Sequence, residues 1–342
     1  MRSKKLVSVI LLLLVVCLIS VVRSAFAQVK PFELSYSVVQ PATHPNGVLA
    51  SEWAREIEKR TNGRIKFTLY YSGTLTSADK IYNGVVSGIS DVGQSVLAYT
   101  RGKFPLMEVI DLPLGYKTGY IATKLANDFY GKFKPKELDG VKIMYLYCVG
   151  PGILLTGKTP VRTLEDIRGK KIRCSGLAAK VVTALGGAPV AMPMGDTYDA
   201  LSKGIVEGMM GPVEVLDGYR LADVIKFVTE NHGSAFTLGM FVVMNEDKWK
   251  ALPPDIQAVV AKVNEEWIEK NGKLVDESDK LGRNVGLKKG IQFIRLPKEE
   301  DQRWAKAVTP LFDDYVNSMK AKGLPGKEAL DFCLDWLKRN QQ

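Results

Sequence analysis

Apolar residues recur along this chain in two rhythms. Phe32 to Val39 reads Phe-Glu-Leu-Ser-Tyr-Ser-Val-Val, the alternation of a half-buried strand. Pro41, His44, Pro45 and Gly47 break it into a loop. Val48 to Lys59 is amphipathic at helical spacing, and Asn62-Gly63 stops it. Ile65 to Tyr71 alternates again as a second strand. Strand, helix, strand in this order predicts an α/β domain whose strand-end loops gather on one side. Further on, Ile256, Val259, Val260 and Val263 keep i, i+3, i+4, i+7 spacing after Pro253-Pro254, and the pattern continues with interruptions toward Leu287. A helix of that length can run along two lobes. Leu330, Cys333, Leu334 and Leu337 repeat the spacing near the end. Both stripes read as core-facing helix surfaces.

A weak internal repeat supports two lobes. Tyr82, Gly88 and Asp91 recur as Tyr198, Gly204 and Glu207 at the same offsets. Each copy reads as a helix stopped by a glycine in the left-handed conformation, followed by a short strand with one acid. Two matched lobes facing each other make a cleft. Gly93-Gln94-Ser95 and Met209-Met210-Gly211-Pro212 would face one another across it. Between the copies, Thr163 and Asp166 form a capping box on a short helix that Gly169 ends. Lys171 to Cys174 is a strand, and Ser175-Gly176 opens a helix from Leu177 to Leu185. Arg173 thus sits at a strand end beside a helix start. Amides and a planar guanidinium there both favour a carboxylate.

The N-terminus changes the picture of where the protein acts. Arg2, Lys4 and Lys5 precede an apolar-rich run from Leu6 to Val22, closed by Ala25-Phe26-Ala27. This predicts a secretory signal peptide over 1–27, cleaved after Ala27. An uncleaved anchor is the alternative, since the run is at the short limit of a membrane span. The small-x-small site favours cleavage, and no Gly or Ala precedes Cys17 as a lipoprotein signal needs. The 342 residues carry 47 basic and 37 acidic side chains, a net +10. Removing 1–27 takes four basic residues and no acid, leaving +6. That scattered excess, with no basic block interleaved with aromatics, gives no footprint for nucleic acid. Cys148, Cys174 and Cys333 remain, an odd number, so at least one thiol is unpaired within the chain.

Catalytic signatures are scarce. Gly152 to Thr159 matches the phosphate-loop pattern letter for letter. Pro160 disfavours the helix that motif requires at its Lys-Thr, and Ile153-Leu154-Leu155 prefers a strand. The two histidines, His44 and His232, lack zinc spacing, and Gly-x-Ser-x-Gly is absent. His44 is either a turn residue or a lining of the cleft.

The residues together resemble the solute-binding subunit of a tripartite ATP-independent periplasmic (TRAP) transporter, of the C4-dicarboxylate-binding type. The resemblance rests on Thr43-His44-Pro45, Thr61-Asn62-Gly63-Arg64, Gly73-Thr74-Leu75, Gly88 to Gly93 and Asp111-Leu112-Pro113. It continues through Leu164 to Arg173, Met192 to Tyr198, Gly204 to Gly208, and Val242 to Pro254. It implies an α/β, two-lobed, periplasmic-binding-protein-like fold of type II character. Such a fold has hinged lobes, a central ligand cleft and a long helix spanning both lobes. The expected division is lobe I over 28–150 plus 239–280, and lobe II over 151–238 plus 281–342. The resemblance also implies that Arg173 forms a salt bridge with a ligand carboxylate. By its position alone Arg173 is either that anchor or a structural surface arginine.

Departures from the family pattern bear on the ligand. Gly152-Ile153-Leu154 carries no charge where many relatives have a second basic residue. Gly211 stands where many have Asn, and Met194 where many have an aromatic. Gly208-Met209 replaces the Glu-Trp that a keto-acid branch uses beside a cation, so no metal is expected, and no cofactor. A single anchoring Arg with a softer wall favours a monocarboxylate with an apolar or aromatic body. Gln94, Met194, Gly211 and Phe236 are expected to line the cleft with Arg173, joined by His44 and Tyr99. The expected partners are a small organic acid and the small and large membrane subunits of the permease, with the mature protein periplasmic and not membrane-embedded. A binding protein for a sensor or another permease class is the first rival. A secreted enzyme on small acids is the second, disfavoured by the missing nucleophile, metal and acid–base groups.

Overall fold

A computed structural model describes residues 30–341. The expected signal peptide lies outside the described residues. The chain builds two sheets. β1 (Phe32–Val38), β2 (Ile65–Tyr71), β3 (Val92–Val96) and β4 (Val141–Cys148) begin the first. β5 (Ile153–Thr156), β6 (Lys171–Cys174), β7 (Ala188–Ala191), β8 (Gly208–Gly211) and β9 (Phe227–Glu230) form most of the second. β10 (Gly239–Asn245) then returns to the first sheet, and β11 (Gln292–Arg295) joins the second. The orders are β2-β1-β3-β10-β4 and β11-β9-β5-β8-β6-β7. β1 pairs in parallel with β2 and β3, as the strand–helix–strand reading requires, whereas β10 runs antiparallel to both neighbours.

Local chemistry explains the element ends. His44 caps the helix Pro45–Arg60 by accepting the Asn46 N–H at Nδ1. The Thr163/Asp166 capping box is formed on Leu164–Ile167. Gly88 and Gly204 have φ of 75° and 68° and end the helices Ile81–Val86 and Thr197–Ser202. Both halves of the repeat therefore use the same left-handed stop. The phosphate-loop lookalike is strand β5 followed by a turn, and the next helix starts only at Leu164.

The helix Pro254–Lys288 is 35 residues long. It packs on Pro45–Arg60, Gly119–Phe133 and β4 beside the first sheet, and on Val215–Gly218 beside the second. Two of its carboxylates bind backbone donors at the starts of helices on either side. Asp276 Oδ1 accepts from Tyr120 N at 3.0 Å, and Asp279 Oδ1 accepts from Glu214 N at 2.9 Å. Negative charge at a helix start is favourable. Gly282 lets this helix close on the Val213–Glu214 backbone, where a Cβ would lie 2.8 Å from Glu214 Cα. The two chain crossings between the sheets are paired to each other, Gly152 N donating to Phe236 O at 2.7 Å.

The end of the chain departs from the expected division. β11 pairs with β9, and the helix Lys298–Val308 packs on Leu164–Ile167 and Ala178–Ala184 of the second lobe. The helix Gly326–Asn340 instead packs on Gly119–Phe133 of the first lobe, Trp336 Nε1 donating to Asp128 at 2.7 Å. The expectation of 281–342 as lobe II fails there. Of the apolar stripe, Leu330, Cys333 and Leu337 are buried while Leu334 is exposed, and Phe332 meets Phe129 and Phe133. A stripe specifies burial without saying against which lobe.

Candidate functional site

Arg173 lies on β6 and is 2% exposed. Its Nε and Nη2 donate to the Met192 carbonyl at 3.1 and 2.8 Å, and Nη2 lies 3.5 Å from the Tyr99 hydroxyl. That hydroxyl accepts from Met194 N at 2.9 Å. Arg173 and Met194 of the second lobe thus meet Tyr99 of the first. No described carboxylate forms an ion pair with Arg173. A buried guanidinium without a counter-ion is costly, and such cost is normally offset by a partner.

A cavity of about 750 Å³ opens beside this junction. Tyr99, Thr100, Asp111 and Leu97 line it from one lobe, and Ser175, Gly176, Met192 and Pro193 from the other. Arg101 also lines it and is exposed. Where the lobes touch, a Cβ on Gly176 would run into the Ala98 side chain, so the glycine permits the approach. Its φ of 55° is left-handed as well. Asp111 is buried, and burial pushes its carboxyl up to about 8, against a single hydrogen bond from Gly239 N at 2.8 Å.

A second contact crosses between the lobes at the loop after β1. His44 Nε2 lies 3.1 Å from Glu214 Oε2, and both residues are buried. Because Nδ1 already accepts the Asn46 N–H, the ring proton sits on Nε2 and is donated to the carboxylate. The Tyr219 ring lies 4.9 Å from the imidazole. Asp279 adjoins this group through the Glu214 amide, and burial together with the Glu214 charge raises its carboxyl to about 7.

The other expected lining residues fall differently. Gln94 is buried, its amide held by Tyr36 Oη at 2.8 Å and Gln40 Oε1 at 2.9 Å, within a chain that ends on Tyr147. Its side chain is thus engaged inside the first lobe. Phe236 is buried with its ring over Gly152, where a Cβ would meet ring carbons at 2.6 and 2.7 Å. The uncharged position noted in the sequence is thus filled by an aromatic ring from the other crossing. Gly211 ends β8, its hydrogen side facing the Met209 methyl. Sequence reasoning missed Glu214, Tyr219, Ser175 and Asp279. Asp111 was visible only as part of a family stretch. Among the described residues no cluster of three metal-ligating side chains occurs.

Comparison with known proteins gives a consistent picture. The model of the bacterial extracellular solute-binding protein family 7 matches residues 36–318. A C4-dicarboxylate-binding periplasmic protein, DctP, of Rhodobacter capsulatus is 26% identical over 321 residues, covering 91% of this chain and 94% of the relative. A TRAP periplasmic solute-binding protein of Desulfovibrio salexigens is 32% identical, with TM-score 0.80 over 91% of this chain and 97% of that one. Another, from Bordetella bronchiseptica with bound (R)- and (S)-mandelate, is 29% identical, with TM-score 0.84 over 90% and 99%.

Proposed function

The chain belongs to bacterial extracellular solute-binding protein family 7, a periplasmic solute-binding subunit of a TRAP transporter for organic acids, and from that premise we propose its ligand and its clamp. The ligand is a monocarboxylate with an apolar or aromatic body. Arg173 holds its carboxylate between the closed lobes, and the loaded protein delivers it to the permease. The observation that carries this reading is the buried Arg173, which has two carbonyl contacts and no carboxylate of the protein itself. A ligand carboxylate supplies the missing charge, and the planar fork suits it bidentately. Arg101, which lines the cavity, is exposed, where an ion pair contributes little. Phe236 covers Gly152 with an aromatic ring, so no second cation stands there to favour a dicarboxylate. The mandelate bound by the Bordetella relative is an aromatic monocarboxylate, in line with this class.

The test is thermal denaturation of residues 28–342, unfolded and refolded to remove carried ligand. Benzoate, phenylacetate and mandelate should raise the melting temperature by several degrees at concentrations well above Kd. Succinate, malate and glucuronate should raise it less. A larger shift with succinate than with any monocarboxylate would overturn the ligand class.

The His44–Glu214 contact is proposed to hold the closed form. Glu214→Ala removes a hydrogen bond to a charged acceptor, a contribution of about 1.5–3 kcal/mol, available only when the lobes meet. A bound acid should then leave on the order of tenfold faster in stopped-flow displacement, with little change in its association rate. Equal release rates in both proteins would show that the pair plays no part in closure.

A further inference from the structure

The cavity beside Arg173 contains polar groups that the carboxylate clamp does not use. Ser175 is 6% exposed, lines the cavity, and its Oγ has no hydrogen-bond partner. Asp111 lines the same cavity from the other lobe and is 3% exposed. Its Oδ1 accepts from Gly239 N, and no second hydrogen bond reaches the carboxyl among the described residues. Oδ2 points toward Gly176, 3.9 Å from where a Cβ on that glycine would stand. A buried polar atom left without a partner costs about 1–3 kcal/mol. One such atom, Ser175 Oγ, faces a carboxyl with a single hydrogen bond on the opposite wall of one cavity, next to the arginine that holds the ligand, and together they call for a ligand atom.

We propose that Asp111 and Ser175 form a hydroxyl subsite, so that the preferred ligand is a hydroxylated monocarboxylate. The inference rests on the monocarboxylate reading above. A hydroxyl is the group that fits both walls, because it donates to the Asp111 carboxyl and accepts from the Ser175 Oγ–H. A second carboxylate would place a further charge against walls that carry an acid and a hydroxyl, with no buried cation among the described residues lining the cavity there to pair it. Ser175 lies two residues along the chain from Arg173, roughly 6–7 Å at strand spacing. That is about the width of one aromatic ring plus its substituent. The raised affinity of Asp111 for its proton, caused by burial, lets it stand near the ligand's carboxylate without a full opposing charge.

The experiment is titration calorimetry with matched acids that differ by one hydroxyl: benzoate against 3- and 4-hydroxybenzoate, and phenylacetate against mandelate. The readout is the ratio of parent to hydroxylated Kd within each protein, so general damage by a substitution cancels. In the unaltered protein at least one hydroxylated acid should bind on the order of tenfold tighter than its parent. Ser175→Ala or Asp111→Asn should bring that ratio below about threefold. The asparagine keeps an acceptor for Gly239. No gain from any hydroxyl, or a ratio that survives in both variants, overturns the subsite while leaving the carboxylate clamp intact. If neither parent nor hydroxylated acids bind, the clamp reading falls and the subsite falls with it.

Discussion

Arg173→Ala should weaken acid binding on the order of a thousandfold while leaving the ligand-free protein close to its original melting temperature. The two halves of this expectation have one cause. Where the lobes meet, the guanidinium is buried against carbonyl and hydroxyl oxygens, and no described carboxylate pairs with it. Its burial is therefore poorly compensated, and its removal loses little stability. With the proposed acid bound, the same group would form a desolvated, bidentate ion pair. Breaking such a pair costs about 3–5 kcal/mol, and each 1.4 kcal/mol is a factor of ten in Kd. Arg173→Lys should fall between the two, because a lysine keeps the charge and loses the fork. Calorimetry and thermal melts on the three proteins decide the matter. Acid binding within tenfold of the original in Arg173→Ala would remove the clamp from the site.

Gly282→Ala should destabilise the fold by about 2–4 kcal/mol, seen as a melting temperature lower by roughly 5–10 °C. The sign is the informative part. In an ordinary helix interior, glycine to alanine gains about 1 kcal/mol. Here the added methyl meets the Val213 carbonyl oxygen and Glu214 Cα, which are backbone and cannot rotate away. The long helix must shift outward, taking Asp279 off the Glu214 amide. The control is Gly131→Ala in the helix Gly119–Phe133, where a Cβ meets nothing within 4 Å and a small gain is expected. If Gly282→Ala melts at or above the original temperature, the close packing of this helix on the second lobe is not a constraint.

Much of this architecture could be read from local sequence signals. The strands at Phe32, Ile65 and Lys171, the capping box at Thr163 and the left-handed stops at Gly88 and Gly204 each depend on a few adjacent residues. They survive being read without the rest of the chain. Arg173 was legible because a strand end and a helix start flank it. Glu214, Ser175 and Asp279 were not, because nothing near them in sequence distinguishes them from solvated polar residues. Glu214 matters through His44, 170 positions earlier, and Asp279 through the amide of Glu214, 65 positions earlier. Gln94, which the repeat places facing the cleft, has its amide taken by Tyr36 and Gln40 within the first lobe. In the last helix the apolar stripe marks the buried face and carries no sign of its neighbour.

The place of β10 has a consequence for the order in which the protein can be assembled. In the first sheet β10 lies between β3 and β4, although it follows every second-sheet strand except β11 in the chain. A growing chain that has reached residue 238 holds β3 and β4 with no strand to join them. Each presents an unpaired edge of the kind that recruits other chains. The first lobe therefore waits for the second to be synthesised, and the long helix that fastens both comes later still. Joining β3 to β4 through β10 depends on contacts distant in sequence, which are expected to slow folding. A chain that stays extended until its full length is available avoids the intermediate with open edges.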